Sequence, residues 1–471
     1  MSFTSDAETI INALDKYHKE SKSGNKPVIQ LPPIKEIIEK LELTSYMKAG
    51  GLTGDRLSEF IDKYLNTTTR LHHPSYFSHQ VAVPYYSGAL GSLIDGFTNN
   101  PMAIYEMGPG AASIEYFIIN WLLEKIGWKS WNLKGDMDTE QEKLGSGVLM
   151  HGGSLANLTA MLAARNKIAP DAWQNGNPKD LVLLAPADCH YSIARAAGIL
   201  GIGQNAIYQL DVNEKGAVIP DKLDDVYKRM KNDNKQAIAL VANACSTAVG
   251  IYDPLSEIGD FCREKNLWFH VDGAHGASAL LSKKYRHLLR GVEKADSLTW
   301  DAHKMLRTPA LCAALLVRDY KDIDNVFKQE ASYLFHEKEQ PGFDFMHRTV
   351  ECTKAGLGLK FFMVLAALGE QGLSRYIEHQ TELTLKAYKY IVALPEFSCP
   401  VVPQSNILCF RVDGDDTLQL KLRDKLISEG SFYVSTTMFR GSRYLRLTIM
   451  NPDTTMDTIE KLARQIRALI R

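Results

Sequence analysis

Seven short, uninterrupted apolar runs recur along residues 147–317. The runs are GVLM (147–150), LVLLA (181–185), AIYQL (206–210), AIALVA (237–242), LWFHVD (267–272), DSLTW (296–300) and LCAALLV (311–317). Helical patterns lie between several of them, over residues 154–167, 191–201, 221–231 and 254–265. Strands that are apolar throughout are typical of a mainly parallel sheet that helices cover on both faces. The alternation therefore predicts one large α/β domain with seven strands.

The pattern differs on both sides of this region. Residues 6–21 and 33–42 carry helical periodicity, which indicates a helical arm at the N-terminus. Near residue 357 the alternation gives way to long helices, followed by strands mixed with helices. The predicted organisation is a helical arm over residues 1–60, a large α/β domain over 61–355 and a small C-terminal α+β domain over 356–471.

Composition excludes several classes of protein. The 54 Lys and Arg residues balance 55 Asp and Glu, so no strong basic field is available to hold nucleic acid. No apolar run approaches the length of a membrane span, and residues 1–26 lack the apolar core of a signal peptide. The seven cysteines are scattered and include no Cys-x-x-Cys pair, so neither a disulfide scaffold nor a zinc site is indicated. We expect a cytoplasmic protein without bound metal, nucleic acid or membrane contact.

The stretch HGGSLANLTAMLAAR, residues 151–165, places two glycines and a serine between a predicted strand and a predicted helix. Gly152 and Gly153 permit a ligand to approach the backbone closely, and Ser154 is a favourable helix N-cap. The exposed N–H groups at such a helix start suit a phosphate. Taken alone, the stretch is more often a plain capped helix than a binding site.

Three chemically useful side chains follow strands of the same predicted sheet. Asp272 ends LWFHVD, His190 comes shortly after LVLLA, and Lys304 follows the DSLTW run. Ligands of open α/β sheets bind at the carboxyl ends of the strands, where all three residues are predicted to lie. Alone, Asp272 could equally be a turn aspartate, and a single histidine is more often structural. Their predicted meeting at one edge, beside a phosphate cradle, is the informative observation.

This combination suits pyridoxal 5′-phosphate. That cofactor needs an anion site for its phosphate, a lysine for its aldehyde and a carboxylate for its ring nitrogen. Metal catalysis fits less well, because the His and Asp residues lack the spacing of metal ligands. A serine hydrolase fits less well too, because no Gly-x-Ser-x-Gly follows a strand.

The chain resembles the group II pyridoxal-phosphate-dependent amino acid decarboxylases, which have fold type I. The resemblance extends from about His72 to Asp457, with the motifs in the family's order. They are HHPSYFSHQ, YEMGPGAASIE, HGGSLAN, HYSIARAAGILGIG, STAVGIYDP, HVDGAHGAS, ADSLTWDAHK and LRLTIMNPDTT. The HYS form at His190–Ser192 and the YEMGPG stretch are closer to the glutamate, cysteine-sulfinate and diaminobutyrate enzymes than to the aromatic amino acid enzymes.

The resemblance implies roles for individual residues. Lys304 corresponds to the lysine that forms the Schiff base, Asp272 to the acid at the ring nitrogen, and His190 to the imidazole that stacks on the ring. Further cofactor contacts are implied for Gly153, Ser154, Thr247 and His303. Cys245 stands where the family has a glycine before Ser246 and Thr247, which leaves the geometry of that turn open.

On the substrate side, Arg446 matches an arginine that binds a substrate carboxylate in the glutamate-type enzymes, and Gln80 corresponds loosely to a substrate contact. The activity implied is α-decarboxylation of a small polar L-amino acid, acidic or diamino, to its amine. Fold type I sites generally form between two subunits, so a homodimer is also implied. The arm would pack across the partner, or alternatively cap its own subunit.

Two alternatives stay open. In the family, a tyrosine on a mobile loop often protonates Cα, but residues 334–351 contain no tyrosine, and Tyr333 is expected to pack at the loop base. This absence could pass protonation to His347 or favour another reaction on the same lysine, such as aldehyde formation, a lyase reaction or transamination. A non-catalytic scaffold that has only inherited the fold is the remaining alternative, although all the cofactor groups are present.

Overall fold

The computed structural model describes residues 2–130, 143–324, 326–327 and 344–470. The helices of these residues are α1 (Phe3–Ser23), α2 (Ile34–Leu41), α3 (Leu43–Ala49), α4 (Gly54–Leu65), α5 (Tyr86–Thr98), α6 (Pro109–Ile126), α7 (Gly153–Ile168), α8 (Ala172–Asn175), α9 (Tyr191–Ile199), α10 (Leu223–Asn232), α11 (Leu255–Lys265), α12 (Lys321–Asp324), α13 (Gly358–Val392), α14 (Asp416–Ser428) and α15 (Met456–Leu469). Gly369 interrupts α13 with a non-helical backbone conformation.

The strands of the described residues form two sheets. They are β1 (Ser146–Met150), β2 (Leu181–Pro186), β3 (Ile207–Leu210), β4 (Gln236–Asn243), β5 (Phe269–Asp272), β6 (Ser297–Asp301), β7 (Ala313–Val317), β8 (Phe397–Ser398), β9 (Ile407–Val412), β10 (Ser435–Phe439) and β11 (Ser442–Thr448). The first seven form one sheet in the order β1-β7-β6-β5-β4-β2-β3, and the other four form a sheet in the order β10-β11-β9-β8.

The seven-stranded sheet confirms the predicted fold class. Each of the seven apolar runs forms one of its strands, and β1, β2, β6 and β7 are buried along their whole length. Strands β3, β2, β4, β5 and β6 are parallel, whereas β7 runs antiparallel to both of its neighbours, β6 and β1. The fold is that of a fold type I α/β domain.

The described chain divides into two compact units. One comprises Met1–Val83 together with Glu382–Arg471, and the other comprises Pro84–Thr381. The second unit contains the seven-stranded sheet and a core formed by its strands with α7 and α9. The first unit contains the four-stranded sheet and its own core. The domain boundaries predicted at residues 60 and 355 stay predictions.

The N-terminal arm is attached to the C-terminal part of its own chain. Val28 donates a backbone hydrogen bond to Gly430 and accepts one from Arg70. Val28 and Ile29 pack with Tyr76 and Ile427 in a small apolar cluster. These contacts are those of a cap on its own unit, and packing of the arm across a partner stays a prediction. No α-helix among the described residues has both the length and the apolar character to cross a bilayer.

Candidate active site

Three parallel strands bring the predicted site residues to one edge of the large sheet. Asp272 is the last residue of β5 and pairs with Asn243 at the end of β4 and with Thr299 on β6. Asp301 is the last residue of β6, and Lys304 follows three residues later. Because parallel strands end at the same edge, Asp272 and Lys304 emerge on the same side of the sheet.

Lys304 pairs with a carboxylate that the sequence analysis did not single out. Its Nζ lies 3.2 Å from Oδ2 of Asp301, and Asp301 is almost completely buried, with 2% of its side chain exposed. Trp300, Met305 and Leu306 are also buried around this turn. The Lys304 side chain is 17% exposed, so a ligand can reach it while its amine is held against Asp301.

Asp272 is held as a hydrogen-bond acceptor. Its Oδ2 accepts a hydrogen bond of 2.9 Å from Nδ2 of Asn157, and its Oδ1 accepts one of 3.2 Å from the backbone N–H of Ala274. The same Asn157 amide group donates to Oγ of Ser192 at 2.9 Å. Both carboxylate oxygens keep further acceptor capacity, which suits an acid meant to face a protonated ring nitrogen.

His190 lies close enough to Asp272 and Lys304 for their charges to affect its pKa. Its ring caps the start of α9, with Nδ1 2.8 Å from Oγ of Ser192 and accepting from the Ser192 backbone N–H at 3.3 Å. Burial lowers the pKa of this imidazole, Asp272 opposes that shift, and Lys304 adds to it. The structure thus brings Lys304 and Asp272 close to the neutral imidazole of His190.

The N-terminus of α7 lies next to Asp301, at the same edge of the sheet. Gly153 is the first residue of the helix, and a Cβ built on it would lie 2.8 Å from Oδ1 of Asp301. The prediction that Ser154 is the N-cap is wrong: Gly152 is the cap, with φ of 105°. Only glycine adopts a positive φ at little energetic cost. The helix therefore begins after Gly152 because of its backbone conformation, and not because of a hydrogen bond from the Ser154 hydroxyl. Glycines at Gly152 and Gly153 leave room for a ligand at this helix end.

His303 follows β6 and Thr247 follows β4, and β5 lies between these two strands. Nδ1 of His303 lies 2.8 Å from the carbonyl of Cys312, and Nε2 points to Asp301 at 3.7 Å from Oδ2. Thr247 is half-buried in the loop after β4. The cofactor contacts predicted for these two residues, and for Gly153 and Ser154, stay predictions.

Arg446 and Gln80 belong to the other compact unit. Arg446 lies on β11, and its Nη1 donates to the carbonyl of Ser78 at 3.4 Å and to Oγ1 of Thr448 at 3.0 Å. Nε2 of Gln80, two residues from Ser78, is buried without a hydrogen-bond partner in the described part of the chain. The roles of the two predicted substrate residues stay predictions. Tyr333 lies outside the described residues.

The fit of the site to the predicted cofactor can be judged from its polar atoms. An amine, an acceptor carboxylate and a glycine-lined helix start meet at one sheet edge. In addition, Oδ1 of Asp301 is buried beside Gly153 without a partner among the described residues. Buried polar atoms are normally paired, so this orphan indicates a site that a ligand completes. The residues present fit pyridoxal 5′-phosphate.

Comparison with known proteins decides the family. The family model described as the pyridoxal-dependent decarboxylase conserved domain matches residues 53–413. The chain belongs to this family. Its cofactor is therefore pyridoxal 5′-phosphate, and the enzyme is a carboxy-lyase that acts on amino acids.

Relatives of this decarboxylase cover nearly all of it. It is 27% identical to acidic amino acid decarboxylase GADL1 of Mus musculus over 470 residues, which is 95% of this chain and 82% of the relative. It is 26% identical to L-2,4-diaminobutyrate decarboxylase of Acinetobacter baumannii over 436 residues, 88% of this chain and 83% of the relative. The crystal structure of mouse CSAD in apo form is 25% identical, with a TM-score of 0.88 and 98% of each chain covered.

Two residues of the site were missed by the sequence analysis. Asp301 was noted only as the residue after the DSLTW run, although its place two residues before the His303–Lys304 pair was a usable signal. Asn157 lies in the quoted HGGSLAN motif, one helical turn after Gly153, but its sequence gives no indication that β5 and α9 lie beside it. Only the packing of α7 against the sheet supplies that information.

Proposed function

We propose that this decarboxylase converts an acidic or diamino L-amino acid to its amine at the site of Lys304. The bond between Cα and the carboxyl group breaks, carbon dioxide leaves, and a proton takes its place at Cα. The observation that carries the proposal is the meeting of Lys304 and Asp272 at adjacent strand ends, both within electrostatic range of His190.

We propose a separate role for each of three residues near Lys304. Asp301, with Oδ2 3.2 Å from Nζ of Lys304, holds the lysine side chain at the sheet edge, where its amine would act as the nucleophile. Asp272 would present its carboxylate oxygens to the ring nitrogen of the bound cofactor, and His190 would offer a flat neutral surface to the ring. When bound, pyridoxal phosphate supplies an electron-accepting ring that stabilises the charge left at Cα.

The first experiment asks for the products. Purified holoenzyme is incubated with L-glutamate, L-aspartate, L-cysteine sulfinate and L-2,4-diaminobutyrate, and the carbon dioxide and product amine are measured. One substrate should release both in equal amounts, and Lys304→Ala should release neither. If none of the four yields carbon dioxide, the proposed substrate class is wrong.

Of the two proposed substrate classes, acidic and diamino, Arg446 supports the acidic one. Its buried guanidinium is held by Ser78 and Thr448, a setting suited to binding a carboxylate. Arg446→Met should lower kcat/KM for an acidic substrate about 10- to 100-fold, the value of a hydrogen bond to a charged group. The matched control is Arg443→Met on the same strand, since three residues of separation place it on the opposite face. An equal loss in both variants would contradict the role of Arg446.

Aldehyde formation is the second candidate. It is favoured by the absence of any tyrosine from residues 334–351, where the family often supplies its Cα acid. An aldehyde-forming enzyme consumes dioxygen as the oxidant and releases the aldehyde, ammonia and hydrogen peroxide together with carbon dioxide. Carbon dioxide and amine without peroxide would exclude this candidate.

We also propose a homodimer in the cytoplasm. Helix α5 exposes one apolar stripe whose side chains recur at helical spacing, namely Tyr86, Leu90, Leu93, Ile94 and Phe97. Contiguous apolar surface of this kind supports burial against a partner. Leu93→Glu should lower the mass in solution to that of a monomer, whereas Ile199→Glu, at an exposed apolar position outside the stripe, should not. Imaging of the tagged chain in cells checks the location.

A further inference from the structure

A continuous chain of hydrogen bonds runs behind Asp272. Nε1 of Trp268 lies 2.9 Å from Oγ of Ser297, which lies 2.8 Å from Nδ1 of His270. Nε2 of His270 lies 3.0 Å from Oδ1 of Asn157, whose Nδ2 lies 2.9 Å from Oδ2 of Asp272. All five side chains are buried. The chain therefore links Asp272 to residues of β5, β6 and α7 without contact with bulk water.

The chemistry of these groups fixes the direction of every bond. A carboxylate only accepts, so Asn157 must present its NH₂ group to Asp272 and its carbonyl oxygen to the other side. There Oδ1 accepts from the Thr299 hydroxyl at 2.7 Å as well as from His270, so Nε2 of His270 carries the proton. Nδ1 of His270 then accepts from the Ser297 hydroxyl, which in turn accepts from the Trp268 N–H.

This alignment points the positive end of each dipole toward Asp272. In a buried setting, hydrogen bonds arranged head to tail polarise one another, which strengthens the last one. Burial keeps His270 neutral by lowering its pKa to about 4, so the direction of the chain is preserved at neutral pH. Asn157 also uses all four of its bonding positions, with Ser192 taking the remaining donor. Rotation of its amide group would break every one of these bonds.

We propose that Asn157 is the positioning residue of this site. It fixes the Asp272 carboxylate as an acceptor aimed at the ring nitrogen of the cofactor, and through Ser192 it sets the orientation of the His190 ring. The Asn157 side chain thereby positions both Asp272, at the edge of the ring, and His190, at its face. The inference rests on the proposed roles of Asp272 and His190 in cofactor binding. It needs no assumption about the substrate.

The test uses the holoenzyme and readouts that need no substrate. Asn157→Leu and Asn157→Ala remove the donor to Asp272, whereas Thr299→Val removes one bond to Oδ1 and leaves that donor in place. The dissociation constant of pyridoxal phosphate should rise about 10- to 100-fold in both Asn157 variants, as expected for losing a hydrogen bond to a carboxylate. In Thr299→Val it should rise by less than about fivefold.

A second readout separates positioning from general loss of structure. Each protein is reconstituted with cofactor labelled with ¹⁵N at the ring nitrogen. Wild type and Thr299→Val should give the protonated-ring signal at neutral pH, and the Asn157 variants should shift toward the unprotonated one. An unchanged ring signal together with unchanged affinity would overturn the proposal.

The wild-type enzyme supplies a check that does not depend on how the variants fold. With ¹⁵N-labelled asparagine, the side-chain amide resonance of Asn157 should move when the cofactor is added, because Asp272 then also faces a charged ring. A resonance that stays unchanged on reconstitution would refute the inference, even if both variants were unstable. Failure of all four candidate substrates in the product assay would leave these cofactor readouts unaffected, so the two proposals can fail separately.

Discussion

The compact unit that contains Lys304 also contains a completely buried ion pair. Nζ of Lys354 lies 2.6 Å from Oε2 of Glu115, and neither side chain is exposed to solvent. Oε1 of Glu115 accepts from the N–H of Leu149 on β1 at 2.8 Å, and Lys354 also donates to the carbonyl of Ala355 at 3.2 Å. The pair thus joins α6 to β1 and to the segment before α13.

Removing the charge of Lys354 should lower the free energy of unfolding considerably. Lys354→Met has a similar length but leaves the Glu115 carboxylate in the core without its partner, a change worth about 3–5 kcal/mol. For a unit of this size, 1 kcal/mol corresponds to about 2 °C of melting temperature, so the midpoint should fall by about 6–10 °C. Exposed pairs are worth only about 0–1 kcal/mol. Lys228→Met, which breaks an exposed pair with Asp224 also at 2.6 Å, is therefore the control and should shift the midpoint little.

The loss should depend on pH. Burial raises the pKa of Glu115, and Lys354 opposes that shift, so deleting the lysine raises the pKa of Glu115 further. A carboxyl group with a raised pKa binds a proton more tightly in the folded state, so stability is kept at acidic pH and lost as pH rises. The slope is about 1.4 kcal/mol per pH unit above the unfolded value of about 4.3. The deficit of Lys354→Met should therefore shrink between pH 7 and pH 5.

The assay is thermal unfolding of the holoenzyme and its variants at several pH values. Glu115→Gln combined with Lys354→Met should recover most of the lost stability, because Gln still accepts from Leu149 and no charge remains. A deficit that does not vary with pH, or one no larger than that of Lys228→Met, would refute this account of the buried pair.

Three further predictions concern the site itself. Lys304→Ala should abolish the visible absorbance of the bound cofactor and carbon dioxide release together; retained absorbance would contradict the role of Lys304. Gly153→Ala should weaken cofactor binding by about tenfold or more, because its Cβ would lie 2.8 Å from Oδ1 of Asp301, whereas Gly110→Ala, with open space around it, should not. Burial lowers the pKa of His270 to about 4, against an ordinary value of about 6.5 in the unfolded chain. The free energy of unfolding of the wild type should therefore fall by about 3 kcal/mol more than that of His270→Phe as pH falls through that window. Parallel stability curves would refute this.

The local patterns that were strongest in the sequence correspond to the best-predicted elements. All seven apolar runs became strands of one sheet, and the helical patterns at 154–167 and 254–265 became α7 and α11. Strand β10 (Ser435–Phe439) was missed because its first three residues, Ser435, Thr436 and Thr437, are polar and half-buried, so they form no apolar run. It pairs only with β11, so its strand conformation depends on a neighbour and not on its own pattern. The antiparallel direction of β7 was also unpredictable, since an apolar run reads the same in either direction.

The sequence by itself determined the fold class and placed Lys304, Asp272 and His190 at strand ends, because burial on both faces requires continuous apolar strands whose carboxyl ends share an edge. Only the tertiary structure decided what those side chains contact. Asp301 meets Lys304, and Asn157 joins Asp272 to Ser192, through contacts between α7, β5, β6 and α9. Hydrogen bonds depend on distances of a few tenths of an ångström between elements far apart in the chain, and residue order does not encode those distances locally.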